Sequence, residues 1–498
     1  MKTNTVKVIQ LIQIVFIVLF ATGQVRTQDI DNEQVKRNLG YELKLNALYS
    51  TAQTPFWIRS NRYGTIPRDS PSILPEIILK SDYRPGTDWD WGFKIDGMGV
   101  VGNQTELIIP EAHLKARWKK LEIFAGRKKQ ILGLVGDSLN TSGSYIQSGN
   151  ALPIPMIQIG LLDFVPLFND FFAFKGNYAH GWFDGNKITK DHFLHQKSLY
   201  LRLGRANWPL RLYAGINHQV QWGGTIVRSN QWTAPGQTKY PQSLKDYWWV
   251  VTSKRIPTFG LVDTDQYDAI DRGNRIGNHL GTMDFAAEIK LKNADITAYK
   301  QFIYDDGSLF QLLNLVDGLY GISIKSKPKA ENRFTIEGLT LEYLYTVHQG
   351  GSHFDLDGGN RGRDNYLNHA QYLGWVYQDN GIGTPFIPNI LDTERLQPNH
   401  EYTHFSINNR VKMMHLGFNG RLIGLNYLVK ASYSQNVGHY NYPLEPALEQ
   451  TSLLLRLEDD IFSEKNRLNV FIAVGADFGE LYKNTLGAQL GIKKKGWF

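Results

Sequence analysis

The chain has 498 residues and no cysteine, which excludes disulfide-stabilised scaffolds and thiolate metal sites. Its mean hydropathy is −0.33 and no run of eighteen apolar residues follows the N-terminal segment, so helical membrane spans are excluded. The formal charge of +7 is spread along the chain, which suits acidic glycans or lipid phosphates better than nucleic acid.

The N-terminus predicts a cleaved export signal at residues 1–23. Lys2 and Lys7 form a positively charged region, a mostly apolar run ends at Ala21, and Gly23 completes a small-residue cleavage site. A membrane anchor is less favoured, because the uninterrupted apolar core is short for a bilayer span. Removal of the signal lowers the formal charge from +7 to +5, since Lys2 and Lys7 leave with it.

Residues 24–70 differ in pattern from the rest of the chain. They carry mixed charges from Asp29 to Arg37, then Pro55-Phe56-Trp57, and alternate only in a short stretch around Tyr41–Leu48. We interpret them as a small element on the periplasmic side, separate from the main domain. A helical plug is one form that it can take.

From residue 71 to 498, apolar and polar residues alternate with a period of two, as in strands with one apolar face. Clear examples are 89–96, 282–291 and 485–493. Each is long enough to cross a hydrocarbon layer as a tilted strand of about 9–11 residues. Roughly seventeen such segments occur, and single-chain barrels have even strand numbers. We therefore predict an all-β fold, a transmembrane antiparallel β-barrel of about 18 strands.

The C-terminal strand points to the outer membrane. Leu486, Ala488 and Leu490 share one face, and the chain ends on Trp497-Phe498. This pattern resembles the last strand of outer-membrane barrels, which is recognised by the assembly machinery and pairs with the first strand. A soluble β-sandwich or β-propeller also alternates, but it explains neither the terminal Phe498 nor the charged residues on so many strand faces.

The connections between strands are expected to be unequal in length. Long ones are predicted at 129–154, 223–278, 304–316, 348–401 and 435–448. Short turns on one rim and long loops on the other match a barrel whose loops face the cell exterior. The loops at 223–278 and 348–401 are rich in Trp, Tyr, Asn, Asp and His, and long loops of this kind usually carry function.

These two loops contain the candidate glycan-binding residues. Sugar rings stack an apolar face on aromatic side chains, and their hydroxyls need groups that donate and accept hydrogen bonds. The candidates that combine both properties are Trp232, Trp248, Trp249, Arg363, Asp364, Asn365, Tyr366, Asn368, His369, Trp375 and Tyr377.

Structural alternatives stay open for the same residues. Amides and aromatics of the loop at 348–401 can instead satisfy each other inside the lumen and plug it. Trp and Tyr can also form an aromatic belt at the membrane interface. For Trp222 the belt or a strand end is favoured, and for Trp248 and Trp249 the belt and the binding site are about equally supported.

The sequence contains a weak esterase signature. Gly136-Asp137-Ser138-Leu139 spells a GDSL motif, but the mechanism needs a base histidine, which typically follows an aspartate by three residues. None of the 13 histidines has aspartate at that spacing. We therefore predict that the protein is not an enzyme and has no catalytic residues.

Metal sites are not supported either. His192 and His195 lead into a strand, where their side chains would diverge. Asp355, Asp357 and Asp364 offer oxygen ligands for Ca²⁺, but they lack the spacing and the final Glu of an EF-hand. We expect no metal and no cofactor.

Four segments resemble the capsule-assembly Wzi family. They are SGSYIQSGNALPIPMIQIG (142–160), HQKSLYLRLG (195–204), GINHQVQWGG (215–224) and GRDNYLNHAQYLGWVYQDNGIGTPFI (362–387). The resemblance covers roughly residues 50 to 498. It implies an outer-membrane barrel of about eighteen strands with a helical periplasmic element, and a lectin-like role in holding newly exported capsular polysaccharide at the cell surface. It supplies no catalytic motif and does not fix the sugar-contacting residues.

Our functional prediction is an outer-membrane lectin-like protein that binds exported capsular polysaccharide and supports capsule attachment. The expected partners are capsular or other surface polysaccharide, outer-membrane lipid and lipopolysaccharide, and the barrel-assembly machinery. We expect a monomer that does not bind nucleic acid. The main alternative is a porin or substrate-specific channel, because a wide barrel leaves an aqueous lumen unless something fills it. A surface hydrolase is a third, weaker hypothesis.

Overall fold

The computed structural model describes residues 39–103, 105–135, 139–256, 267–305, 308–327, 333–353, 362–393, 396, 404–461 and 468–498. The predicted signal at 1–23 and the residues up to 38 lie outside this part of the chain. So do Gly136, Asp137 and Ser138 of the GDSL motif, and Asp355 and Asp357 of the calcium hypothesis.

Eighteen antiparallel strands close into a barrel, which confirms the predicted fold class. The strands are β1 Gly40–Ser50, β2 Ser72–Ser81, β3 Trp89–Gly102, β4 Thr105–Trp118, β5 Leu121–Arg127, β6 Met156–Leu161, β7 Phe172–Trp182, β8 Phe193–Leu203, β9 Leu210–Trp222, β10 Asn278–Lys290, β11 Ala294–Asp305, β12 Gly318–Ser326, β13 Phe334–Tyr345, β14 Val411–Leu422, β15 Leu425–His439, β16 Tyr442–Ile461, β17 Leu468–Gly479 and β18 Thr485–Trp497.

Smaller elements lie in the connections. Short strand pieces cover Val165–Leu167, Thr189–Lys190, Thr225–Ile226, Val376–Tyr377 and Asn380–Gly381. The helices are α1 Phe56–Arg59, α2 Leu244–Thr252 and α3 Ala269–Gly273, with 3₁₀ turns at Ser308–Gln311 and Ile390–Asp392. Among the described residues, no helix is long and apolar enough to cross a membrane.

The first and last strands close the ring. Gly40 pairs with Trp497 and Ser50 with Gly487, and the Phe498 backbone N–H donates to the Leu39 carbonyl at 2.9 Å. This confirms the expected pairing of the terminal strand with the first strand.

The alternation in the sequence becomes two different faces of the wall. On β18, Leu490 is 55% exposed and points outward, whereas its neighbour Gln489 is 5% exposed and points into the lumen. Trp89, Trp118 and Trp497 are exposed near one rim, as expected for an aromatic girdle. Apolar side chains outside and polar ones inside are the arrangement that a barrel adopts in lipid.

The two rims of the barrel differ. The short-turn rim carries the C-terminus and tight connections such as Ile423-Gly424. The opposite, long-loop rim carries the connections 51–71, 128–155, 223–277 and 346–410.

The predicted long connection at 435–448 is wrong. β15 continues to His439 and β16 begins at Tyr442, so only two residues separate the strands. The polar residues that suggested a loop bond to neighbouring segments instead: Asn408 Nδ2 donates to Asn436 Oδ1 at 2.9 Å.

The predicted boundary between residues 70 and 71 also needs correction. Gly40–Ser50 is a barrel strand that pairs with both β2 and β18, and the connection 51–71 leaves it at the long-loop rim, not at the short-turn rim. The sequence shows alternation around Tyr41–Leu48, but the predicted boundary assigned this stretch to a separate element; its inward face carries charges. These charges form ion pairs with β2 on the lumen side of the wall: Lys44 with Glu76 at 2.8 Å, and Glu42 with Lys80 at 3.3 Å.

Segments from three long-loop connections fold back into the lumen. We call residues 51–71, 128–135 with 139–155, and 362–393 the plug. The short helix α1 lies at its centre, and Phe56, Trp57 and Ile58 are all buried in the main hydrophobic core together with Tyr145 and Trp375. The long-loop half of the barrel interior is therefore filled by protein.

The polar inward face of the wall binds the plug. The Phe56 backbone N–H donates to Asp477 Oδ2 at 2.8 Å, and Trp57 Nε1 donates to Ser432 Oγ at 3.0 Å. Gly487 permits close approach, because a Cβ there would lie 2.7 Å from Pro55 Cδ. Side chains of the strands thus supply the hydrogen bonds that buried loop backbone requires.

The second plug segment is held in the same way on the other side of the lumen. Thr141 Oγ1 donates to Glu342 Oε1 at 2.6 Å, and the Ser142 backbone N–H donates to Glu342 Oε2 at 2.5 Å. The Tyr145 backbone N–H donates to Gln301 Oε1 at 2.9 Å.

A buried ion cluster joins the first and third plug segments. Asp392 Oδ1 lies 2.8 Å from Arg59 Nη2 and 2.8 Å from Arg68 Nε. Burial acts to raise the pKa of Asp392, but the two guanidinium groups outweigh burial and lower it. The carboxylate therefore stays charged and links the two segments.

Candidate functional site

A cavity of about 600 Å³ opens at the long-loop rim, within the range of small-ligand sites. We call it the rim cavity. Its walls come from the connections after β9 and β13, with one edge from β15–β16. The lining residues include Arg228, Asn230, Gln231, Trp232, Asn274, Arg363, Asp364, Asn365, Asn368, His369, His404, Asn441 and Tyr442.

The rim cavity brings together six of the eleven predicted glycan-binding residues. They are Trp232, Arg363, Asp364, Asn365, Asn368 and His369. Trp232 comes from one long loop and the other five from another, so the fold joins two segments that are more than a hundred residues apart in the sequence.

Two asparagines shape the loop that lines the cavity. Asn365 Nδ2 donates to the Asn368 carbonyl at 3.0 Å, and Asn409 Nδ2 donates to Asn365 Oδ1 at 2.6 Å. Asn368 exchanges two hydrogen bonds with the Ser406 backbone, at 2.9 and 3.0 Å. These amides fix the backbone, so the wall of the cavity is preformed.

The charges of the cavity are arranged in layers. Arg363 and Arg228 are exposed, whereas Asp364 and Asp305 are buried. Ser308 Oγ donates to Asp364 Oδ1 at 2.7 Å. The solvent-facing surface of the cavity is therefore cationic, and its carboxylates lie beneath that surface.

Trp232 supplies an aromatic wall. Asn230 Oδ1 accepts from the Trp232 backbone N–H at 2.8 Å, and Asn230 Nδ2 donates to the Ala370 carbonyl at 3.4 Å. The same asparagine therefore positions the indole and ties its loop to the neighbouring one.

Three predicted residues are buried inside the plug and do not line the rim cavity. Tyr366, Trp375 and Tyr377 are each at most 3% exposed. The Tyr366 hydroxyl donates to Asp317 Oδ2 at 2.7 Å, and Trp375 Nε1 donates to the Ile146 carbonyl at 2.7 Å. Burial raises the pKa of Tyr366 well above its ordinary value, so the phenol keeps its proton and remains a donor. The side chains of these three residues therefore bond within the protein.

Trp248 and Trp249 do not line the rim cavity either. Both lie on α2, which packs against the outer surface of the barrel wall. Trp248 is exposed there, and Trp249 packs against a small apolar cluster around Val220 and Trp222.

The structure separates the two histidines of the first metal hypothesis. His192 stacks on Phe183 with ring centroids 4.2 Å apart, while His195 contacts Tyr178 on the outward face. As expected, the two histidines diverge. Among the described residues, no group of three or more His, Asp or Glu side chains is placed to hold a metal ion.

The sequence analysis missed several residues of the rim cavity. Arg228, Asn230 and Gln231 directly precede Trp232, so their polarity beside a candidate tryptophan was a usable signal. Asn441 was expected in a long loop, and its turn carried no local sign of a site.

Burial lowers the pKa of His404, another lining residue, below its ordinary value.

A second cavity of about 430 Å³ lies in the lumen near the short-turn rim. Its lining includes Arg211, Glu288 and Lys290, and the backbone of Gly133 and Leu134 from the plug borders it. Tyr213 OH donates to Glu288 Oε2 at 2.8 Å.

The fold is similar to those of known outer-membrane proteins. The chain resembles Wzi of Escherichia coli, described as a carbohydrate-binding β-barrel involved in group 1 capsule assembly, with TM-score 0.56, 14% identity, and 91% of this chain and 84% of that chain covered. OccK5 of Pseudomonas aeruginosa matches with TM-score 0.46, 9% identity and 93% and 98% coverage. A BenF-like porin of Pseudomonas fluorescens matches with TM-score 0.40, 10% identity and 93% and 98% coverage.

At these identities the likeness concerns the fold alone. It supports an outer-membrane barrel. No protein-family model and no curated protein matches the chain.

Proposed function

We propose that this protein is a lectin-like barrel without enzymatic activity, which binds exported capsular polysaccharide at the cell surface and supports capsule attachment. The observation that carries the proposal is the rim cavity, where Trp232, amide side chains and exposed arginines from separate loops line one preformed space. This is the mixture that sugar rings and their hydroxyls need. The carbohydrate-binding description of Wzi, a barrel of similar fold, adds support.

Retention of a polymer does not require a tight single site. A repeating polysaccharide can engage many copies of the barrel in the same membrane, so weak contacts combine through avidity. We therefore expect weak binding of a short oligosaccharide and much stronger binding of the polymer.

The test of the site uses purified barrel in detergent with surface polysaccharide prepared from the cells that make it. Trp232→Ala should weaken binding roughly 2- to 10-fold, because stacking on one aromatic ring contributes about 0.5–1.5 kcal/mol. The control is Trp208→Ala, since Trp208 is also an exposed tryptophan but lies in a turn at the short-turn rim. Equal binding by all three proteins, or equal losses in both variants, would argue against the rim cavity.

A cellular test addresses the role itself. Cells that lack the protein should release capsule into the medium, and complementation with the parent gene should restore retention. Unchanged retention in the deletion strain would contradict the proposal, whatever the purified barrel binds.

The second candidate function is a diffusion channel. The cavity in the lumen near the short-turn rim, about 430 Å³ in volume, is the observation that favours it. Steady single-channel currents through the unmodified barrel in a planar bilayer would support this function over the first.

A further inference from the structure

The outer surface of the barrel is exposed along most of β8 and β9 but is covered near the long-loop rim. Leu199 on β8 and Ile216 on β9 point outward and are exposed. By the two-residue period of a strand, His195 and Val220 point to the same outer side. Both of these are nevertheless fully buried, so another segment covers the outer wall there.

That segment is α2 with the residues after it. Val250 and Ile256 form an apolar cluster with Val220 and Trp222, and Tyr247 stacks on Trp222 with ring centroids 5.1 Å apart. A helix is thus packed on the side of the barrel that otherwise faces lipid.

Polar contacts fasten the helix to the wall. Tyr247 OH lies 2.8 Å from the hydroxyl of Tyr178 on β7, and Lys197 Nζ donates to the Val251 carbonyl. At the N-terminus, Ser243 and Asp246 form a reciprocal capping box, which stabilises the first turn. The helix is therefore a fixed part of the outer surface.

The face of α2 that points away from the barrel is apolar. Leu244 is 89% exposed and Trp248 is 61% exposed, and a spacing of four residues places them on one side of the helix. Lys245, next to Leu244 in the sequence, and Lys254 and Arg255, just after the helix, are also exposed. An apolar stripe with a cationic border is the pattern of helices that lie in a membrane interface, where tryptophan is also enriched.

The height of α2 on the wall agrees with this pattern. From Leu203 to Phe193, β8 covers about 33 Å along the strand at about 3.3 Å per residue. With a tilt of about 40° the vertical distance is about 25 Å, equal to the apolar band of a barrel. α2 covers the Phe193 end of this span, so it lies at the upper edge of the band, on the long-loop side.

We infer that α2 is an interfacial anchor that binds lipopolysaccharide in the outer leaflet. Leu244 and Trp248 insert beside the acyl chains, and Lys245, Lys254 and Arg255 pair with the phosphates of the lipid headgroup. The apolar stripe continues the lipid-facing surface of β8 and β9 directly above it. The cationic border is complementary to a phosphorylated headgroup. The inference does not depend on the proposed polysaccharide binding.

The natural absence of cysteine permits a direct measurement. Leu244→Cys and, as the control, Gln231→Cys at the rim cavity are labelled separately with an environment-sensitive fluorophore in the full chain. In bilayers that contain lipopolysaccharide, iodide should quench the label at position 244 at least about fivefold less than the label at 231, because an inserted side chain is screened from water. Equal quenching at both positions would overturn the inference.

A charge variant tests the lipid identity. Substitution of Lys245, Lys254 and Arg255 by glutamine should reduce co-purified lipopolysaccharide by about half or more, since the variant loses three cations that attract an anionic headgroup. The matched control replaces Lys119, Lys292 and Lys325, exposed cations near the short-turn rim. Unchanged lipopolysaccharide in the first variant, or equal protection of position 244 in bilayers of phosphatidylcholine alone, would overturn the assignment to lipopolysaccharide.

Discussion

Replacement of Asp392 by alanine is expected to loosen the plug. One carboxylate oxygen holds both Arg59 and Arg68 at 2.8 Å, and the arginine side chains are 14% and 23% exposed. Removal of one partner from a buried ion pair costs about 3–5 kcal/mol. Because Arg68 is partly accessible to water, we expect the lower end, about 3 kcal/mol. A local opening of the plug should then become roughly 100-fold more frequent.

The pH dependence has a definite sign. The pKa of Asp392 is lowered in the folded protein, so its contribution is present above the ordinary pKa of an aspartate. It is lost as the pH falls through the lowered value. The parent plug should therefore open more often only in acid, and the alanine variant should lose most of this dependence.

Planar-bilayer conductance and limited proteolysis of the plug measure the opening. The control is Asp295→Ala, because Asp295 pairs with Lys327, whose side chain is 52% exposed, and such a pair contributes little. The reasoning is refuted if Asp392→Ala gives no more current events or cleavage than Asp295→Ala. It is also refuted if the parent barrel already conducts steadily, since the plug would then not close the lumen.

Three further outcomes follow from the structure. Trp57→Ala removes a buried indole and its bond to Ser432, so the barrel should lose about 3–5 kcal/mol in urea unfolding. Burial, and next the charge of Asp268, raise the pKa of Asp271 well above its ordinary value. The contribution of Asp271 to the stability of α3 is therefore present at low pH and is lost as the pH rises through the raised pKa. Hydrogen exchange of α3 should show this loss in the parent protein and not in the Asp271→Asn variant. Leu490→Arg places a cation at the centre of the lipid-facing side of β18 and should lower the free energy of unfolding in lipid by about 2–4 kcal/mol. Leu486→Arg, near the rim, should lower it by about 0–1 kcal/mol. Equal losses in the two variants would contradict the outward orientation of these side chains.

The barrel itself was predictable because its signal is local. The period of two in β18, with Leu490 outside and Gln489 inside, is a property of consecutive residues, and lipid requires it on every strand. The alternation of β1 around Tyr41–Leu48 was recognised, but the stretch was placed outside the barrel, because the pairing of Glu42 and Lys44 with charges on β2 cannot be read from the sequence. Those partners lie more than thirty residues away, so no local pattern identifies them.

The candidate site was predictable only in part, for the same reason. Asn365 and Tyr366 are neighbours that both carry hydrogen-bonding groups, yet the first lines the rim cavity and the second is buried inside the plug, where it bonds to Asp317. The loop turns between them, and a partner distant in sequence decides which side each one takes. Composition pointed to the loops that line the cavity but could not separate cavity-lining residues from those buried inside the plug.

The seam where β18 meets β1 has a mechanical consequence. Immediately after β1, the chain turns inward and presses Pro55 against Gly487 of β18, while Phe56 bonds to Asp477 of β17. The segment that follows β1 therefore supports the junction of β1 and β18 from inside the barrel. Separation of β1 from β18 would also break the contacts of Pro55 and Phe56. The junction between the two strands is therefore stabilised by these contacts in addition to its backbone hydrogen bonds.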